Sequence, residues 1–194
     1  RPGQAPAVLA AMAGRDAMVV MATGSGKSLC YQAPALAMPG LTVVVSPLIA
    51  LIADQHDRLR RAGMPVRMLT SLQGAEQQRE ALRDIRAGEV RLVLCAPARL
   101  GQAAFLDAVA ANPVSLLAVD EAHCLAEWGH DFRPEYLRLA ALRDRLAPRS
   151  TMALTATATP AVAREVAARL GLRDPLEVRS GFDRPNITLD VVAL

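Results

Sequence analysis

A single lysine, Lys27, stands in the stretch Ala22-Thr23-Gly24-Ser25-Gly26-Lys27-Ser28. Every other basic residue among the 22 Lys and Arg of this 194-residue chain is arginine. An ammonium is a compact point charge on a flexible stem, whereas a guanidinium is a planar fork. The ammonium can reach between two phosphates while backbone N–H groups wrap the remaining oxygens. Gly24 and Gly26 let the backbone close around oxyanions, Thr23 and Ser25 complete the loop, and Ser28 offers a hydroxyl to Mg²⁺. The first Gly of the general phosphate-loop pattern is replaced by Met21. A second group, Asp120-Glu121-Ala122-His123, follows the apolar run Leu116-Leu117-Ala118-Val119. An acid at the end of a buried strand lies at the edge of its sheet. There Asp120 can hold Mg²⁺ through water, and Glu121 can orient and deprotonate an attacking water. The two groups together describe phosphoryl transfer from a nucleoside triphosphate.

The elements that must position these groups are legible as punctuation and period. Short β-branched apolar runs at residues 17–21, 41–46, 66–69, 91–95, 115–119 and 151–154 read as strands. Helical patterns lie between them at residues 27–37, 48–62, 75–87, 99–111, 135–146 and 161–170, with Pro39-Gly40, Gly63, Gly88, Pro113, Pro148 and Gly171 at the breaks. Thr42-Val43-Val44-Val45 is apolar on both faces, as a buried parallel strand requires. The expected fold is therefore an α/β sandwich around a mainly parallel sheet. Both chemical groups fall at the carboxyl ends of strands, where such sheets bind ligands. From about Pro175 the rhythm is lost, and residues 187–192 read as the start of a further unit.

Composition narrows the class. A chain with 52% hydrophobic and 21% charged residues is globular. No run of 18 uncharged apolar residues exists to span a membrane. The net charge of +3 permits a nucleic-acid partner without demanding one. Cys30, Cys95 and Cys124 are odd in number and lack Cys-x-x-Cys spacing, which reads as reduced thiols in a cytosolic compartment and not as a zinc site. The chain opens on Arg1-Pro2-Gly3-Gln4 without a signal peptide and reads like a piece of something longer. Arg and Ala enrichment fits a GC-rich bacterial genome.

Half of the six aromatic residues, Trp128, Phe132 and Tyr136, fall in one short segment with His130 and Arg133 interleaved. Trp128-Gly129-His130-Asp131-Phe132-Arg133-Pro134 has neither helical nor strand period, so it reads as a loop. Exposed aromatics beside a nucleotide site suit base stacking, and Arg133 adds phosphate or cation–π contacts. Taken alone, the segment reads equally well as a local core patch. His56 reads as a solvated helix residue, and Arg58-Leu59-Arg60-Arg61 as a solvated helix face.

With these motifs in hand, the chain resembles the first RecA-like lobe of a RecQ-family DEAH-box DNA helicase over essentially its whole length. Arg1-Pro2-Gly3-Gln4 resembles the family's adenine-recognition motif, which implies that Gln4 and Arg1 read the base. The segment from Met21 to Ser28 resembles its phosphate loop, Val45-Ser46-Pro47-Leu48-Ile49-Ala50-Leu51-Ile52-Ala53-Asp54-Gln55 a DNA-contacting motif, and Asp120 to His123 its DEAH box. Cys124 through Tyr136 resembles the aromatic-rich loop that couples single-stranded DNA to hydrolysis. Ala153-Leu154-Thr155-Ala156-Thr157-Ala158-Thr159 resembles the motif linking hydrolysis to strand separation, which lends Thr155 and Thr157 coupling roles and favours one for His123. Phe182-Asp183-Arg184-Pro185-Asn186 matches the family's junction into its second lobe. Three positions depart from the family: Ala98, Ala126 and Ala50 stand where Glu, Ser and Ser are usual.

The resemblance implies a P-loop NTPase sandwich over residues 1–180 and a linker into a second RecA-like lobe over 181–194. It implies Mg²⁺ and ATP as cofactors, single-stranded and forked DNA as partners, and a monomeric, cytoplasmic, nucleoid-associated bacterial repair or recombination helicase of 3'-5' polarity. A nucleotide-gated DNA-binding module without motor activity, and a different P-loop enzyme such as a small-molecule kinase, remain as alternatives.

Overall fold

The computed structural model describes residues 3–126 and 134–180. Arg1, Trp128, His130, Phe132, Arg133 and the 181–194 segment lie outside them. The described chain runs α1 (Gln4–Met12), β1 (Ala17–Met21), α2 (Leu29–Ala37), β2 (Leu41–Val45), α3 (Ile49–Arg61), β3 (Val66–Leu69), α4 (Ala75–Arg86) and β4 (Leu92–Cys95). It continues through α5 (Ala103–Ala110), β5 (Val114–Val119), α6 (Arg138–Leu146), β6 (Ser150–Thr155), α7 (Pro160–Arg169) and β7 (Leu176–Ser180). The strands form one sheet in the order β3-β4-β2-β5-β6-β1-β7, and every pairing is parallel. This is the three-layer sandwich that the alternation of runs implies.

Side chains alternate across the pleat, so each central strand feeds two cores. Val19, Val44, Leu94, Ala118 and Leu154 pack under α1, α2 and α3 on one face. Val20, Val43, Val93, Leu117 and Ala153 pack under α4 through α7 on the other. Strands β1, β2, β4, β5 and β6 are buried throughout, which is why they lack polar alternation.

Two elements lie beyond the sequence reading. Helix α1 buries Gln4, Ala7, Ala10 and Ala11; alanines all around a helix leave little contrast between faces, so its period is faint. Strand β7 is an edge strand with one buried residue, Val178, and it pairs with β1 from Ala17↔Leu176 to Met21↔Ser180. Edge strands need little apolar sequence, so the lost rhythm after Pro175 conceals a real strand. His56 also departs from expectation: it is buried on α3, with Nδ1 3.2 Å from Asp57 Oδ1.

Asp16, fully buried between α1 and β1, holds the edge on. Its carboxylate accepts from the Thr151 N–H at 2.7 Å and the Arg173 N–H at 2.8 Å, while its own carbonyl accepts from Leu176 N–H at 2.8 Å. Replacing Asp16 with Ala strands both donors, and an unmet buried donor costs about 1–3 kcal/mol. Urea unfolding of Asp16→Ala is expected to show a loss of about 2–4 kcal/mol from the two together. A loss under about 0.5 kcal/mol, the size of an ordinary surface substitution, would contradict this assignment.

Candidate nucleotide site and its coupling chain

The loop after β1 is a turn built on glycine. Gly24 and Gly26 take φ of 79° and 87°, the left-handed region that residues with a Cβ rarely occupy. Lys27 folds back over the loop, its Nζ donating to the Met21 carbonyl at 3.1 Å and to the Ala22 carbonyl at 3.5 Å. Ser25 Oγ donates to the Ala22 carbonyl at 2.6 Å. Gln4, buried on α1, donates from Nε2 to the Ser25 and Gly26 carbonyls at 3.2 and 3.0 Å. A Cβ on residue 26 would run into that amide. The loop is thus closed on itself, with the ammonium and the Gln4 amide bonded to its carbonyls. Gln4 holds the phosphate loop here, a contact that its expected role in reading a base did not include. Thr23 is exposed at the loop's rim, and Ser28 lies where α2 begins.

The second strand end carries the acids. The Asp120 N–H donates to the Val45 carbonyl at 2.8 Å, which ties the acid box to β2. Asp120 is buried, and its Oδ1 accepts the Glu121 N–H at 3.1 Å. Burial, and then the charge of Glu121, push its carboxyl up to about 6. Glu121 adopts φ 47° and ψ 46°, a left-handed conformation that is uncommon for a side-chain-bearing residue. That turn aims successive side chains in different directions, so two adjacent acids face different partners.

His123 is the hub. Its Nδ1 lies 2.9 Å from Thr155 Oγ1 and 3.3 Å from Glu121 Oε2, and its Nε2 lies 3.9 Å from Cys124 Sγ. The Cys124 contact and then the Glu121 carboxylate push the imidazole up to about 10. In return the ring holds Glu121 below the usual carboxylate range, against the opposing effect of partial burial. A protonated ring donating from Nδ1 serves Glu121 and Thr155 together. Thr155, fully buried, in turn accepts the Thr157 N–H at 3.1 Å. The chain Glu121–His123–Thr155–Thr157 therefore crosses from β5 to β6 along the carboxyl edge of the sheet. Thr157 is exposed at its far end.

Between the phosphate loop and this chain opens a cleft of about 330 Å³, lined by Thr23, Pro47, Leu48, Glu121, His123 and Thr157 among others. It joins the residues read as nucleotide-binding to the start of the segment read as DNA-contacting. On that segment Leu48, Ala50, Leu51 and Asp54 are exposed, whereas Gln55 is buried.

Tyr136 is corrected by its surroundings. The sequence groups it with exposed aromatics, yet it is fully buried and its O–H donates to the Asp120 carbonyl at 3.2 Å. A phenol buried with a specific acceptor is a core anchor, and here it fastens the acid box. For Tyr136 the core-patch reading wins; Trp128, His130, Phe132 and Arg133 lie outside the described residues. Beside the Ala98 departure, Arg99 donates to the Thr70 carbonyl and, at 3.0 Å each, to Gln78 Oε1 and Gln102 Oε1. Cys30 and Cys95 are buried, with thiols that burial pushes up to about 11 and about 12, and neither is disulfide-bonded. No helix of the described residues is long and apolar enough to cross a membrane.

The chain is similar to known proteins at two levels. Residues 1–166 match the family model described as DEAD/DEAH box helicase. The ATP-dependent DNA helicase RecQ of Haemophilus influenzae is 44% identical over 96% of this chain and 30% of its own length. The ATP-dependent DNA helicase Q5 of Mus musculus is 46% identical over 98% of this chain and 20% of its own. This chain thus spans less than a third of these curated relatives. Among solved structures, a hypothetical ATP-dependent RNA helicase from Sulfolobus tokodaii superposes with a TM-score of 0.71 at 19% identity, covering 92% of this chain and 52% of that one. The DUF1998 helicase MrfA bound to DNA and AMPPNP gives 0.73 at 18% identity, over 92% of this chain and 27% of that one. These two likenesses support the RecA-like fold.

Proposed function

The chain belongs to the DEAD/DEAH box helicases, with RecQ helicases among its relatives, and from that premise we propose that it is the ATP-binding lobe of an ATP-dependent DNA helicase. The observation that carries this is the hydrogen-bonded chain from Glu121 through His123 to Thr155 and Thr157. It gives the acid nearest the reaction a direct connection to an exposed strand end, where a polynucleotide could be felt.

In this reading ATP draws Lys27 from the Met21 and Ala22 carbonyls onto its phosphates, and the loop N–H groups and the start of α2 take the remaining oxygens. Gln4 and Arg1 meet the adenine. Ser28 and Asp120 would hold Mg²⁺. A buried carboxyl crowded by a second acid is relieved by a hard divalent cation, and two protein oxygens with the remainder from phosphate and water is a common Mg²⁺ arrangement. Mg²⁺, when bound, neutralises phosphate charge. Phosphate oxygens of the nucleotide and water would complete its coordination. Glu121 orients the attacking water. Its pairing with His123 restrains it, and DNA acting through Thr157, Thr155 and the residues Trp128, His130, Phe132 and Arg133 would release it. A second lobe would supply the arginine fingers that stabilise charge in transfer, so this lobe alone binds ATP, hydrolyses it feebly and does not unwind. Single-stranded and forked DNA are the partners, 3'-5' the polarity, and a monomer in the bacterial cytoplasm and nucleoid, in repair or recombination, the setting.

The test is single-strand-stimulated ATPase of the full-length protein, wild type against His123→Ala. Wild type is expected to be stimulated. The variant is expected to lose the stimulation, because the link from Thr155 to Glu121 is cut, while its unstimulated turnover holds or rises as the restraint on Glu121 is lifted and nucleotide binding is untouched. An unstimulated wild type, or full stimulation in the variant, would overturn the reading.

A further inference from the structure

Helix α2 begins at the phosphate loop and carries a buried polar link that phosphate chemistry does not use. The Ser28 carbonyl accepts from the N–H groups of Tyr31 and Gln32 at 3.3 and 3.0 Å. Tyr31 is fully buried, and its O–H donates to Gln55 Oε1 at 2.7 Å. Gln32 Nε2 donates to the same oxygen at 3.3 Å. One side-chain oxygen on α3 thus takes two donors from α2, both within one turn of Ser28. Gln55 itself is buried, so it faces α2 and not the solvent side where Ala50, Leu51 and Asp54 lie.

Packing alone does not call for this arrangement. A Phe at 31 and a Met at 55 would fill much the same space without desolvating an amide and a phenol. A buried hydrogen-bonded pair instead fixes where one element sits against another. Helix α3 continues directly from Ser46-Pro47-Leu48, a stretch that follows the strand tied to Asp120 and whose Pro47 and Leu48 line the cleft. The link starts beside the phosphate loop, whose bonds a bound triphosphate would change. That loop is closed on itself through Lys27, Ser25 and Gln4, so a triphosphate that engages Lys27 must exchange at least the ammonium's bonds.

We propose that Tyr31 and Gln55 are positioning residues that relay the state of the phosphate loop from α2 to α3, so that nucleotide binding resets the segment facing DNA. This rests on the helicase reading above. The relay lies on the opposite face of the sheet from Tyr136 and is independent of the His123 chain, so it carries nucleotide information to DNA while His123 carries DNA information to hydrolysis.

The experiment measures single-stranded oligonucleotide affinity of the full-length protein by fluorescence anisotropy, with and without AMPPNP, and reads the ratio of the two dissociation constants. Wild type is expected to show a ratio of about fivefold or more in either direction, the usual size of a coupling between sites. Tyr31→Phe and Gln55→Met are each expected to reduce it to within about twofold of unity, and the double variant to reduce it no further, as two members of one link must. Ile85→Val, a buried change on the other face, controls for general loosening and is expected to keep the wild-type ratio. A wild-type ratio retained in Tyr31→Phe and Gln55→Met would refute the relay and leave the helicase reading standing. Loss of the ratio in Ile85→Val as well would also refute it. A wild type with no nucleotide dependence and no stimulated ATPase would refute both.

Discussion

Glu121→Gln is expected to lower ATP turnover of the full-length protein by about 10²–10⁴-fold, the usual contribution of a positioned base, while nucleotide affinity changes little. The amide has the size and reach of the carboxylate, so the left-handed turn at residue 121 and the fit of the cleft survive. What disappears is the negative charge, and with it both the acceptor for a water proton and the ion pair with His123. Glu121 lies at the end of β5 and not on the loop after β1 that is proposed to take the phosphates, which is why binding and turnover should separate. Single-turnover hydrolysis and nucleotide titration on the same preparation make the measurement. A drop below about tenfold would move the water-positioning role elsewhere. A parallel loss of affinity would place Glu121 on the nucleotide itself.

How far the sequence reveals this site depends on what kind of information each residue carries. The five central strands announce themselves because both their faces are buried, and a run such as Thr42-Val43-Val44-Val45 has no other explanation. Strand β7 is silent for the converse reason: one buried valine suffices at an edge, and the adhesion comes from Asp16 and the main chain. Motif spacing likewise indicates that Lys27, Asp120, Glu121 and His123 gather at one sheet edge, because successive strand ends in a parallel sheet lie side by side. It does not indicate which atoms these residues engage when no substrate is bound. That Gln4 bolts the phosphate loop, that Tyr136 anchors Asp120 from inside the core, and that Gln55 turns inward to Tyr31 are outcomes of packing. In each, a polar side chain carried by one element satisfies a partner on another far away in sequence, and no local pattern encodes that.

Lys27 is where the second large effect is expected. Lys27→Ala should reduce kcat/KM for ATP by about 10²–10³-fold or more, the loss typical of removing a preorganised charge from a transferring group. Part of this should appear as weaker nucleotide binding, since the ammonium meets ground-state and developing charge alike. The more discriminating variant is Lys27→Arg. It preserves charge in a chain whose other basic positions are all arginine, so any general benefit of a cation is kept. Yet the loop around residue 27 is narrow, closed by Ser25 and Gln4 onto its own carbonyls, and the present ammonium fits by donating to two adjacent carbonyl oxygens from one nitrogen. A planar fork cannot make that turn and then swing between phosphates without widening the loop. Lys27→Arg is therefore expected to recover less than about a tenth of wild-type kcat/KM, much nearer to Lys27→Ala than to wild type. Recovery to near wild type would mean that the site needs only a positive charge. The position of the chain's one lysine would then owe nothing to its shape.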